Sequence, residues 1–185
     1  LCKKEGCDVE LFETTGYLSD SDIKNISPEN RIKFSQSRPF SYEKDLGVMP
    51  KRYADLNRDF EEKIAEFKPD LLFMSVVEDA FWQALELLRV SAKFDVPHIV
   101  GGVFPTAAPD VCLSFEEVNA IGIGEGEEIL KACIKAIEQD RDFDGIQGVW
   151  SKTSDGQIIK SEKPPLVDIN QLNADYDLFD EVRFM

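Results

Sequence analysis

Five of the chain's eleven glycines fall between positions 101 and 126, in two runs that each follow a stretch of apolar residues. The first run reads Pro97-His98-Ile99-Val100-Gly101-Gly102-Val103-Phe104-Pro105-Thr106, and the second reads Ala120-Ile121-Gly122-Ile123-Gly124-Glu125-Gly126-Glu127. Both sit where buried parallel strands should end. Ligands of an open α/β sheet bind outside the carboxyl ends of its strands, and glycine lets a ligand approach the backbone closely. Two neighbouring glycine loops therefore predict one shared binding surface.

Other residue types with chemical potential are sparse. Cys2, Cys7, Cys112 and Cys133 are spaced too irregularly for a zinc or iron–sulfur motif, and nothing signals a disulfide framework. Cys133 falls on the apolar stripe of a predicted helix and reads as core. His98 is the single histidine, which excludes a His-rich metal site and any mechanism needing two imidazoles. Entering an apolar strand after Val96-Pro97, it reads as structural.

The elements that would position the glycine loops alternate between strand and helix, the α/β signature. Leu1 to Gly6 resembles the last turn of a helix with a terminating glycine, and Val9 to Thr15 reads as a strand, so the chain starts in mid-unit. Residues 16–52 are polar, broken by Ser27-Pro28, Arg38-Pro39 and Met49-Pro50, and predict a long irregular excursion. A helix follows with Leu56, Phe60, Ile64 and Phe67 on one face, ended by Lys68-Pro69. Leu71 to Val77 is then a strand apolar on both faces, as buried parallel strands are.

Glu78-Asp79 opens a helix whose stripe is Phe81, Leu85, Leu88 and Ala92, with Trp82 as packing. Ile99-Val100 and Ala120-Ile121 continue the sheet, and residues 127–138 form a helix with Ile129, Leu130, Cys133, Ile134 and Ile137 inward. Asp155-Gly156 between Gly148 to Lys152 and Gln157 to Lys160 signals a hairpin. Pro164-Pro165 stiffens an exit linker toward the acidic, aromatic stretch Asp175 to Asp180. The expected division is residues 1–145 as the α/β domain and 146–185 as hairpin and tail.

At 185 residues the chain suits one full core with a small appendage. Its formal charge of -15 argues against a nucleic acid or an anionic membrane as partner. No apolar run approaches a membrane span and no signal peptide opens the chain, so a cytoplasmic setting is expected.

From about Lys3 to Phe184 the sequence resembles the N-terminal cobalamin-binding domain of the B12-dependent radical SAM proteins. The residues that carry the resemblance are Lys3 to Phe12, Lys68-Pro69-Asp70-Leu71-Leu72, the two glycine runs, and Leu166-Val167-Asp168 before Asp175-Tyr176-Asp177-Leu178-Phe179-Asp180. The resemblance implies a flavodoxin-like, Rossmann-like doubly wound parallel sheet, with the corrin at its carboxyl edge and the nucleotide tail between sheet and helices. Carried over by position, Ser75, Val76, Val77, Glu78 and Asp79 form one wall. Gly101, Gly102, Val103, Phe104, Pro105 and Thr106 form the second, and Gly122, Gly124, Glu125 and Gly126 the third. Ser75 and Thr106 would offer hydroxyls to the corrin amides, and a side chain placed at Gly102 would fill the ligand's space.

Three departures qualify what the resemblance implies. The Asp-x-His-x-x-Gly motif that ligates cobalt from below has no counterpart, and Phe104 stands where some relatives carry histidine, so no protein ligand on cobalt is expected. The Cys-x-x-x-Cys-x-x-Cys cluster motif is absent, which assigns S-adenosylmethionine and a 4Fe-4S cluster to a radical SAM domain outside this chain and makes the chain itself non-catalytic. The family's central first strand should precede Leu1, and the open edge this leaves predicts a homodimer or additional residues. Two rival readings stay open: a degenerate docking domain without cofactor, and a receiver-like module using Glu78, Asp79, Glu125 and Glu127 for Mg²⁺ or acid/base work. The second lacks the accompanying strand-end lysine.

Overall fold

The computed structural model describes residues 1–14, 16–18, 51–153, 155–168 and 178. The chain divides into two compact units, Leu1–Asp8 with Ile64–Asn173 and Val9–Lys63 with Ala174–Met185.

In the unit that begins at Val9, β1 (Tyr17–Leu18) pairs in parallel with β2 (Lys51–Arg52). The two ends of the expected excursion are thereby pinned side by side, while residues 19–50 lie outside those described. A 3₁₀ turn at Tyr53–Asp55 leads into α1 (Leu56–Phe67), whose expected face is buried at Leu56, Phe60 and Ile64. The Phe12 ring packs on Phe60 and Tyr17, with centroids 5.0 and 5.8 Å away. Tyr17 donates its hydroxyl to Asp59 at 2.8 Å, and burial together with that carboxylate holds the phenol well above its usual range.

The expected strand at Val9 to Thr15 does not form. Val9 to Thr14 belong to no element, and Thr15 lies outside the described residues. A strand needs a neighbour for its backbone groups, and Phe12 is engaged with Phe60 and Tyr17 instead.

The other unit holds a five-stranded sheet in the order β3 (Leu72–Ser75), β4 (His98–Gly101), β5 (Ala120–Gly122), β6 (Val149–Lys152), β7 (Ile158–Ile159). The first three run parallel, with Ser75 level with Gly101 and Val100 with Ile121. Its opening turn is as expected: a 3₁₀ turn at Cys2–Glu5 ends on Gly6 in the left-handed region, φ 85°. β3 is only half-buried, contrary to the expected core strand. It is the outermost strand, and no described strand pairs with its far side.

Helices cover both faces, as a doubly wound sheet requires. On one face α2 (Phe81–Ser91) buries Phe81, Ala84, Leu85 and Leu88 against Val76, Val100 and Ile121. On the other, α5 (Gly126–Glu138) buries Ile129, Cys133 and Ala136 against Ile99, Ala120 and Val149. Neighbouring residues Ile99 and Val100 thus serve opposite cores, the period-two rule of a strand. Each fully buried aliphatic side chain contributes about 1.5–3 kcal/mol. Burial also pushes the Cys112 thiol up to about 11 and that of Cys133 to about 12.

Two elements depart from expectation. Trp82 is 65% exposed rather than packed in, touching Phe115 edge-on at 5.4 Å. After β4 the chain forms two short helices, α3 (Val103–Ala107) and α4 (Pro109–Leu113), interrupted at Ala108 because Pro109 disfavours helical backbone before it.

The predicted hairpin is present, with Ser151 level with Ile159 and Lys152 with Ile158. Gly156 takes φ 82° in its turn, and Thr153 Oγ1 accepts from the Gln157 amide at 3.0 Å. β6 also pairs antiparallel with β5, so the hairpin extends the sheet. Among the described residues no helix is long and apolar enough to cross a membrane.

Candidate cofactor-binding edge

The carboxyl ends of β3, β4 and β5 bring the three predicted walls together. At the end of β3 the Val76 amide donates to the Gly101 carbonyl at 2.9 Å and the Phe104 amide donates to the Val76 carbonyl at 3.4 Å. This locks the first wall to the second. The Ser75–Gly101 register carries Val77 and Val103 to the same edge, where they are 55% and 73% exposed. Both apolar side chains are open to a ligand beside the Gly101-Gly102 pair.

Thr106 joins the second wall to the third. Its hydroxyl donates to the Gly102 carbonyl at 2.9 Å and accepts from the Gly124 amide at 3.0 Å. The two glycine loops are therefore one connected structure. Only one acceptor lone pair of Thr106 remains for a ligand, so its hydroxyl cannot act as a donor there without breaking the clamp.

Each glycine has its own reason. Gly102 takes φ 104°, and a Cβ there would lie 2.6 Å from the Val76 carbonyl oxygen and 2.8 Å from the Val76 nitrogen. This corrects the expectation for a side chain at Gly102: it would strike the backbone at the end of β3 rather than enter the ligand's space. Gly124, at φ 94°, lies beneath the side chain of Lys163, whose Cε would be 2.8 Å from a Cβ. A Cβ at Gly101 or Gly126 would lie 3.4 or 3.5 Å from the Phe73 ring, and one at Gly122 would lie 3.5 Å from Ile129 and Ile99.

The remaining predicted residues are placed unequally. Pro105 is buried, and Phe104 turns inward to meet Phe81 edge-on at 5.0 Å. Glu78 and Asp79 lie exposed in the 3₁₀ turn Glu78–Ala80, while the Glu125 carboxylate accepts a hydrogen bond from the Val167 amide. The four carboxylates do not converge: among the described residues no group of three or more His, Cys, Asp or Glu could hold a metal ion. The receiver-like reading loses its site. His98 lies at the amino end of β4, away from the glycine edge, where its Nε2 accepts from the Asn119 amide at 3.2 Å. Burial holds this imidazole below its usual pKa, outweighing a backbone contact at Glu117.

The residue reading missed the segment after the hairpin. Trp150 Nε1 donates to the Ser161 carbonyl at 3.0 Å, and the Gly148 amide donates to the Glu162 carbonyl at 2.8 Å. The segment then runs past Gly124 to Glu125. Pro164-Pro165 signalled only a stiff linker, since contacts distant in sequence leave no local pattern.

The B12 binding domain model matches residues 42–134, just over half of the chain. The chain belongs to the B12-binding domain family. Curated relatives of this B12-binding domain include the anaerobic magnesium-protoporphyrin IX monomethyl ester cyclases of Rubrivivax gelatinosus, 25% identical over 71% of the chain, and of Cereibacter sphaeroides, 25% identical over 63%. The chain spans a fifth to a quarter of the length of these relatives, 20% and 25% respectively for the Cereibacter and Rubrivivax proteins. Among solved structures it is similar to the radical S-adenosylmethionine methyltransferase TsrM from Kitasatospora setae with cobalamin and a 4Fe-4S cluster bound, at TM-score 0.53 and 23% identity over 62% of this chain and 22% of that one. It is likewise similar to the cobalamin-dependent S-adenosylmethionine radical enzyme OxsB with aqua-cobalamin bound, at TM-score 0.52 and 20% identity, covering 62% of this chain and 16% of that one. The shared feature is the B12-binding Rossmann-like fold.

Proposed function

We propose that this B12-binding domain holds cobalamin across the carboxyl edge of its sheet, between Val77 and Val103, the Gly101-Gly102 loop and the Gly124–Gly126 loop, and that it serves as the cobalamin module of a radical SAM enzyme. The observation that carries the reading is the Thr106 clamp joining both glycine loops beside two exposed valines. The residues fit the group. A corrin is broad and largely apolar on its faces, and the edge presents exposed apolar side chains and one free hydroxyl lone pair.

When bound, cobalamin supplies a cobalt centre able to carry and release an alkyl group. This chain's part is to bind and orient it. Phe104 points into the core and His98 lies at the other end of β4, so the reading assigns no imidazole of this chain to cobalt. S-adenosylmethionine and the 4Fe-4S cluster belong, in this reading, to a separate radical SAM domain, as does the choice of substrate. The outer edge of β3, which pairs with no strand among the described residues, would also permit a homodimer by sheet extension, and a sedimentation experiment giving a monomer at micromolar concentration would remove that part.

Titration with hydroxocobalamin tests the central part. We expect a saturable change in the corrin absorption spectrum, weakened at least about tenfold by Val103→Asp, which sets a charge against the ligand without touching the core. A folded protein that leaves the spectrum unchanged would favour the cofactor-free docking domain.

A further inference from the structure

We propose that Lys163 pairs with the phosphodiester of the bound cobalamin, and so reads the nucleotide tail rather than the corrin. The inference rests on the cobalamin-binding reading and adds a residue to it.

The position of Lys163 is built by its neighbours. Ser161 Oγ donates to the Val149 carbonyl at 2.7 Å, Trp150 Nε1 donates to the Ser161 carbonyl at 3.0 Å, and the Gly148 amide donates to the Glu162 carbonyl at 2.8 Å. Three hydrogen bonds thus fix the two residues before it to Gly148 and the first two residues of β6. The Lys163 stem then lies along Gly124, its Cγ, Cδ and Cε 3.3, 3.6 and 2.8 Å from where a Cβ would stand. A lysine stem laid on glycine backbone leaves its ammonium at the rim of the glycine edge.

Charge makes this position informative. The chain carries a formal charge of -15, and Glu78, Asp79, Glu125 and Glu127 all belong to the turns of this edge. Such a surface repels a phosphodiester unless a cation stands nearby. Three other lysines around the sheet are engaged: Lys160 with Asp110 at 2.8 Å, Lys131 with Glu128 at 2.7 Å, and Lys152 with the Phe115 carbonyl at 2.8 Å. Among the described residues no carboxylate pairs with Lys163. An ammonium held at a ligand edge without a protein partner suits a phosphate, which lysine binds as a point charge.

The test compares hydroxocobalamin with cobinamide, which keeps the corrin and lacks the phosphodiester and nucleotide, by spectral titration at low and high salt. For Lys163→Gln we expect about tenfold weaker hydroxocobalamin binding, a reduced salt dependence, and unchanged cobinamide binding. Lys163→Arg should restore most of the difference. An equal loss for both ligands, or no loss for hydroxocobalamin, would overturn the assignment of Lys163 while leaving the cobalamin site standing. Failure of the unaltered protein to bind either ligand would overturn both.

Discussion

The two ends of the sheet differ in how their polar groups are used. At the amino end lies a groove of about 1330 Å³, lined by Arg89, His98, Glu117, Asn119 and Lys152 among others. Several of its groups already have protein partners: Arg89 donates to Glu117 at 2.6 Å, Lys152 donates to the Phe115 carbonyl at 2.8 Å, and the Asn119 amide donates to His98 at 3.2 Å. The carboxyl end has the glycine loops, the exposed Val77 and Val103, and Lys163 without a carboxylate partner among the described residues. A volume of that size does not by itself mark a binding site. Exposed apolar side chains and an unengaged cation favour the second for a corrin with a phosphodiester tail, because a ligand gains free energy only from contacts the protein has not already made for itself.

The contrast within the carboxyl edge is sharpest at its two left-handed glycines. A Cβ at Gly102 meets fixed backbone, whereas one at Gly124 meets the far end of a lysine side chain that can swing aside. Both substitutions also carry a backbone cost, about 1 kcal/mol at Gly124 and more at Gly102, whose φ 104° with ψ -168° is backbone that essentially only glycine adopts. Gly102→Ala should therefore cost about 3 kcal/mol or more in urea unfolding and Gly124→Ala about 1 kcal/mol. Equal losses would mean that the end of β3 yields as easily as Lys163 does.

Next in size is the clamp itself. Thr106→Val deletes the hydroxyl that serves the Gly102 carbonyl and the Gly124 amide, and should cost about 1–3 kcal/mol with a matching loss of cobalamin affinity. Thr106→Ser should recover most of both. If Thr106→Val binds hydroxocobalamin as the unaltered protein does, the two loops do not act as one surface.

The amino end should respond to pH where the carboxyl end does not. His98 has its pKa lowered in the fold because burial disfavours the imidazolium, and its Nε2 must stay unprotonated to accept from Asn119. The unfolded chain therefore binds more protons just below the ordinary histidine pKa, so stability is complete above about 6.5 and falls as the pH drops below it. His98→Gln should flatten that fall in a series of urea titrations between pH 7.5 and 5. Cobalamin affinity should stay unchanged by it. A loss of affinity in His98→Gln would tie the two ends together, against the account.

Much of this was legible in the sequence, for local reasons. The faces of α1 and α5, the strands at Ile99-Val100 and Ala120-Ile121, and the Asp155-Gly156 hairpin follow from apolar period and turn chemistry, which act over a few residues. The strand expected at Val9 to Thr15 failed because a strand is completed by its neighbour, which its own residues do not encode. Both glycine runs lie at the carboxyl edge of the sheet, as their place after apolar strands implied. Their geometry came partly from elsewhere: Gly102 answers to Val76 and Gly124 to Lys163, which are 26 and 39 positions away (102 less 76, and 163 less 124). Trp82 looked like packing because its helix is amphipathic, and only the placement of Phe115 shows that it stands outside.

Amide hydrogen exchange with and without hydroxocobalamin tests the central claim most directly, since it reports both ends of the sheet in one experiment. The account predicts that the ligand slows exchange in peptides covering residues 101–107 and 122–128, with little change in those covering 89–98 and 139–144. Protection concentrated at the amino-end groove, or at neither end while the corrin spectrum reports saturable binding, would contradict it.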